Sequence, residues 1–219
     1  MRKLALVSVL LVTMVWCAIP LTAAKKKNKA AASAQFDFYL LSLSWAPDFC
    51  AQGGGNRAPR ECGPGRKLGF IVHGLWPQAE AGRGPENCGG SPVAESIVQT
   101  MLSYMYAPGL VQHEWTSHGT CSGLSAAEYF AAMRKARDSV KVPADFQAPD
   151  KIRQLSPGAI DRAFADANPA FPKNAFRTTC TSGMLQETRI CFNKDVTPRA
   201  CPASLNECSA ASIKVLPVK

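Results

Sequence analysis

Several signatures that mark common chemistries are missing from this sequence. No C-x-x-C pair occurs among its nine cysteines, which argues against a zinc ribbon or a thioredoxin-type redox site. No G-x-S-x-G elbow occurs, so a serine nucleophile of the hydrolase kind has no seat. There is no internal repeat and no N-x-S/T sequon. Without a sequon N-glycosylation is not expected, which suits a bacterial periplasmic or secreted chain. Acidic residues are in the minority, 16 against 25 Lys and Arg, and there are three histidines.

Long apolar runs are limited to one, LALVSVLLVTMVWCAIPL, behind Met1-Arg2-Lys3. A positive head, an apolar stretch and the small residues of LTAA before KKKNK read as a secretory signal peptide over residues 1–24, cleaved after Ala24. A retained anchor is the weaker reading, because Pro20 and the small-residue exit suit a peptidase site. Residues 25–35 read as a basic flexible leader, and 36–219 as one domain large enough to bury a core. Eight cysteines then remain, an even set that in an exported chain implies disulfides. Removing Arg2 and Lys3 lowers the formal charge from +9 to +7, still favouring a polyanionic partner.

FDFYLLSLSW, at 36–45, is strand-like with apolar residues on both parities. Residues 51–66, rich in Gly, Pro and Arg, read as a loop. LGFIVHGLWP reads as a second strand stopping at Pro77, with His73 at or near its end. Ser91-Pro92 predicts a helix start, carrying Val93, Ile97, Met101, Leu102 and Met105. Ser125 to Glu128 is a capping box opening a helix through Val140 that Pro143 terminates. Ser156-Pro157 opens another, and AFRTTC and MLQETRICF read as strands joined near Ser182-Gly183. The pattern predicts an α+β fold.

All three histidines fall in two short segments, FIVHGLWPQ and HEWTSHGTC. Histidine exchanges protons near neutral pH, so their concentration is informative. The second segment begins like the zinc-protease motif H-E-x-x-H, but its second histidine comes one residue late. On a helix at about 100° per residue, His113, Ser117, Glu114 and His118 share one face, spread over roughly 140°, while Trp115 points to the core. That spread excludes the two-histidine zinc geometry. A metal-free site remains, in which one histidine removes a proton and another returns one.

These two segments resemble the catalytic signatures of the ribonuclease T2 family, secreted acid-type endoribonucleases. LSLSWAPDFC is similar to the family's first strand, and LQETRICFNKDVTPRACP to its C-terminal segment. The resemblance implies a disulfide-stabilised α+β fold, a mainly antiparallel central sheet flanked by helices. It implies metal-independent cleavage of single-stranded RNA through a 2′,3′-cyclic phosphate, with little base specificity and no cofactor. His118 would be the general base, His73 the general acid, His113 a phosphate contact, Glu114 a transition-state stabiliser and Trp76 a base platform. It also implies the pairs Cys50–Cys62, Cys88–Cys121, Cys180–Cys208 and Cys191–Cys201. RNA is the expected partner and DNA is expected to survive; a secreted or periplasmic monomer without stable membrane association is expected. Gln78 stands where relatives often carry Asp or Asn, leaving base preference open. Alternatives are a catalytically weakened RNA- or partner-binding member and a metal-dependent hydrolase built on the three histidines.

One position departs from the family pattern: Ser117 stands where relatives usually have lysine. Either another cation takes over or the enzyme is slower than its relatives. Ser117→Lys should raise kcat/KM on a dinucleotide about tenfold, since one donor aimed at developing charge is often worth that or more. An unchanged or lower value across pH 4–8 would mean that the cation has been replaced.

Overall fold

The computed structural model describes residues 35–54, 58–205 and 207–218. The expected signal segment and nearly all of the leader lie outside the described residues.

Six strands form one sheet: β1 (Phe38–Trp45), β2 (Phe70–Gln78), β3 (Arg153–Leu155), β4 (Phe176–Thr181), β5 (Met184–Phe192) and β6 (Ile213–Val215). Their order is β2-β1-β5-β6-β3, with β4 also paired to β5. Every pairing is antiparallel except β5 with β6, which touch at Met184 and Lys214. Among the described residues six α-helices accompany it: α1 (Ala46–Ala51), α2 (Pro59–Cys62), α3 (Glu95–Met105), α4 (Pro108–Ser117), α5 (Ala126–Ser139) and α6 (Pro157–Ala167). The fold is therefore the expected α+β arrangement.

Strand alternation divides the sheet into two faces. Tyr39, Leu41, Leu43 and Trp45 of β1 join Ile190 and Phe192 of β5 and the inner residues of α3, α5 and α6 in the main core. Phe38 and Leu40 point the other way, into a smaller cluster with Cys191 and Cys201 that Trp76 packs against. β1 is thus buried on both sides, as its unbroken apolar run predicts. Ser182 and Gly183, both at positive φ, make the tight β4–β5 turn. The four disulfides are Cys50–Cys62, Cys88–Cys121, Cys180–Cys208 and Cys191–Cys201.

Several sequence expectations are corrected. The helix expected from Ser91-Pro92 starts only at Glu95. Segment 91–93 is instead held by α4, through Trp115 Nε1 donating to the Ser91 carbonyl and the Gln112 amide bonding both backbone groups of Val93. Two turns of helix, α1 and α2, occupy part of the region read as loop. β2 runs through Pro77 to Gln78, so His73 lies mid-strand. Proline is tolerated there because β2 is the sheet edge. α5 keeps its capping box but ends at Ser139, with Val140 as its C-cap. β3 and β6, three residues each, were not expected at all.

Asp48 on α1 is fully buried, and neither carboxyl oxygen meets a donor with full hydrogen-bond geometry. Burial raises its pKa to about 7, although the Leu216 and Leu185 N–H groups and the Lys214 charge oppose the rise. A carboxyl raised in the folded state costs stability as pH climbs from the unfolded value, about 3.9, toward 7. We therefore predict that Asp48→Asn unfolds at higher urea concentration than the parent at pH 7.5, with the difference shrinking toward pH 4. A difference that did not change with pH would refute the assignment to this carboxyl.

Candidate active site

β2 carries one residue more than its neighbour. Ser42 faces Gly74 and Leu43 faces Val72, so His73 is the extra residue of a β-bulge. Val72 and Leu75 both enter the main core, and the bulge lets the two residues between them, His73 and Gly74, lie on the opposite face.

α4 packs beside this edge strand. Pro108 occupies its first turn, and Val111 and Trp115 anchor it in the core. That orientation drives Glu114 inward, with no exposed surface. Glu114 Oε2 accepts from Trp76 Nε1 at 2.7 Å, while Oε1 lies 3.6 Å from His73 Nε2 and has no hydrogen-bond partner. Gly74 makes the approach possible: a Cβ there would collide with Glu114 Oε2 and Trp76 Nε1.

The continuous helix expected over HEWTSHGTC ends one residue early. Ser117 is its last residue, His118 is the C-cap at φ −124°, and a 3-10 turn follows over Gly119–Cys121. Gly119 is needed because a side chain there would strike Trp115 and Tyr129. The break turns His118 toward Trp76, ring centroids 5.4 Å apart, and the His73 ring lies 5.2 Å from the same indole. His113 is exposed one turn back, its ring 6.5 Å from His118, with Nδ1 3.5 Å from the Ser117 hydroxyl. The structure thus brings His73, Trp76, His113, Glu114, Ser117 and His118 together.

The histidines differ in proton affinity. Burial depresses the His118 pKa to about 4, helped by the charges of His113 and His73, and its Nδ1 is buried without a partner. Burial also works against charge on His73, but the Glu187 hydrogen bond and the charges of Glu187 and Glu114 outweigh it and raise its pKa above the usual value. Burial pushes Glu114 to about 7. Near pH 6 the arrangement holds a charged His73, a neutral His118 and a largely protonated Glu114.

Two participants were not singled out from the sequence. Glu187 Oε1 lies 2.6 Å from His73 Nδ1, and Arg189 binds the other oxygen, Oε2, through Nε at 2.9 Å and Nη2 at 2.8 Å. The Arg189 guanidinium also lies 5.2 Å from the Trp76 ring centroid. The available signal was two opposite charges at alternate positions of one strand, MLQETRICF. A cleft of about 750 Å³ opens beside His73 and His113, walled also by Glu187, Arg60, Glu61 and Tyr106.

Gly74→Ala should lower kcat by about 10²-fold or more, because it displaces Glu114 and Trp76, while circular dichroism retains the folded spectrum. A variant with parental kcat would show that the close packing of α4 on β2 is dispensable.

Residues 36–201 match the family model described as the ribonuclease T2 family. A ribonuclease of Aeromonas hydrophila is 30% identical over 167 residues, covering 74% of each chain. A probable ribonuclease of Haemophilus influenzae is 35% identical over 125 residues, covering 51% of this chain and 46% of that one. Among solved structures, the RNase-related protein from Calystegia sepium aligns with a TM-score of 0.65 at 22% identity, covering 84% of this chain and 98% of its own. The ribonuclease from bitter gourd seeds aligns at 0.64 and 24%, covering 81% and 99%. These structural likenesses bear on the fold; the family match and the Aeromonas relative bear on membership. The chain belongs to the ribonuclease T2 family and is a ribonuclease of that type.

Proposed function

We propose that the chain cleaves single-stranded RNA by metal-independent transphosphorylation, with His118 as general base and His73 as general acid. His118 takes the proton of a ribose 2′-hydroxyl, and the freed oxygen attacks the adjacent phosphorus. The P–O5′ bond breaks, His73 delivers its proton to the departing oxygen, and a 2′,3′-cyclic phosphate and a 5′-hydroxyl result. The observation that carries this reading is the pair of histidines beside Trp76, each within 5.4 Å of its ring, one neutral and one charged at the same pH. Glu114, neutral below about 7, helps stabilise the transition state by adding no negative charge beside the phosphate, where its anion would repel it. His113 contacts the phosphate from its exposed position, and the indole face offers a base stacking worth about 1–3 kcal/mol.

Among the described residues, the His, Cys, Asp and Glu group suited to hold an ion is Cys50, Glu61 and Cys62, whose two sulfurs are bonded to each other. The reading extends to a secreted or periplasmic enzyme acting as a monomer, supported for its location by the four disulfides. No described helix is long and apolar enough to cross a membrane.

The test is digestion of mixed RNA and of DNA, with and without EDTA, across pH 3–8. Cleavage of RNA alone, indifferent to EDTA, is expected. The kcat/KM profile should be bell-shaped, with an acid limb near pH 4 as His118 protonates and an alkaline limb above pH 6.5 as His73 loses its proton. His73→Ala and His118→Ala should each lose about 10²–10⁴-fold in rate while still binding RNA. Either variant retaining a tenth of the parental rate would remove that histidine from its role, and binding without cleavage by the parent would favour a binding protein.

A further inference from the structure

Resting on the reading of His73 as general acid, we propose that Glu187 is a positioning residue that holds the His73 ring by Nδ1, so that the transferable proton sits on Nε2. A mid-strand histidine on a bulge has rotational freedom that a proton donor must lose. Glu187 removes it from the next strand but one, since Ser44 of β1 pairs with Ile71 on one side and Glu187 on the other. Its two oxygens divide the work. Oε1 accepts a hydrogen bond from Nδ1–H at 2.6 Å, and Oε2 is gripped by the Arg189 guanidinium through two nitrogens. With Nδ1 committed as a donor to a carboxylate, a neutral ring carries its single proton there and a charged ring presents its second on Nε2. Nε2 is the nitrogen on the Glu114 side, within 3.6 Å of Oε1.

The two carboxylates on His73 therefore have different tasks. Glu187 is 2% exposed yet ionised, its pKa held at about 2 against burial by the bond and charge of His73 and by Arg189. Glu114 is equally buried, and although the His73 charge 3.6 Å away opposes the rise, burial leaves it near 7. Glu61, from α2, faces His73 across the cleft and is raised to about 7 by burial, the His73 charge opposing. Of the acids around the ring, Glu187 is the one with a permanent charge and a direct bond. Arg189 is a positioning residue at one remove, fixing the carboxylate that fixes the histidine.

The experiment compares Glu187→Gln with the parent and with His73→Ala on two substrates. One is a dinucleotide, whose 5′-oxygen needs a proton to leave. The other is a uridine 3′-(4-nitrophenyl) phosphate, whose aryloxide leaves without one. Glu187→Gln should lose about 10²-fold or more in kcat on the dinucleotide and about tenfold or less on the aryl ester, with its alkaline limb displaced to lower pH. Equal loss on both substrates by a folded Glu187→Gln protein, or no loss on either, would overturn the positioning role. Equal loss by His73→Ala on both would instead overturn His73 as the acid, so the two failures are separable. Should the variant not fold, nitrogen-15 NMR of the parent decides. At acid pH a far-downfield Nδ1 proton on His73 is expected, persisting as Nε2 titrates above pH 6.5. A neutral ring protonated on Nε2 would refute the proposal.

Discussion

Where a helix and a strand carry complementary parts of one site, the distance between their backbones governs everything placed on them. Here that distance is set by Gly74. With no Cβ at this point, the Glu114 carboxyl lies directly against β2 and reaches the Trp76 indole nitrogen. The same contact holds the indole beside two histidines on different elements. The bulge at His73 is the complementary constraint, because without the extra residue His73 and Gly74 could not share a face. Backbone geometry thus precedes chemistry: the side chains are common ones, and their juxtaposition rests on one missing side chain and one additional residue.

The electrostatics follow from who has a partner. Glu114 and Glu187 are both almost wholly enclosed and both lie near His73, yet their proton affinities are displaced in opposite directions. The difference is the short bond and charge of the His73 imidazole, with Arg189 adding to them. An enclosed carboxyl hydrogen-bonded to cations stays ionised, and one with a cation only at longer range tends to keep its proton. Desolvation acts alike on the histidines, and the presence or absence of an acidic neighbour separates them. One small region therefore holds a histidine with low proton affinity, a histidine with high proton affinity and a carboxyl that favours its neutral form, built from two residue types.

Much of this was legible in the sequence, for identifiable reasons. His73, His113 and His118 stood out because histidine is scarce and its three occurrences were concentrated in two segments with Glu114 and Trp76. The capping box at Ser125 and the Ser182-Gly183 turn were read from local chemistry that the fold retains. The misreadings are non-local. Ser91-Pro92 looks like a helix start, but Gln112 and Trp115 claim the backbone that a helix would need. His118 was placed on a continuous helix because the helical count does not reveal that Gly119 packs under Trp115 and Tyr129. Glu187 could not be matched to His73 from sequence, since 114 residues separate them and only the sheet register brings them together. Three-residue strands such as β3 and β6 are too short to show a period.

The Cys88–Cys121 bond has a consequence for when the site exists. It spans 33 residues and closes just beyond the C-cap where the chain turns His118 toward the indole. Beside it, the Asn87 amide donates to the Ser117 carbonyl, tying the loop to the last turn of α4. His118 is therefore held from its far side by a covalent clasp, in addition to its own backbone bond to the Glu114 carbonyl. Before the clasp closes, that loop retains conformational freedom that the oxidised chain has lost. Oxidation of these two cysteines therefore narrows the positions open to His118, which ties the geometry of the site to the redox state of its surroundings.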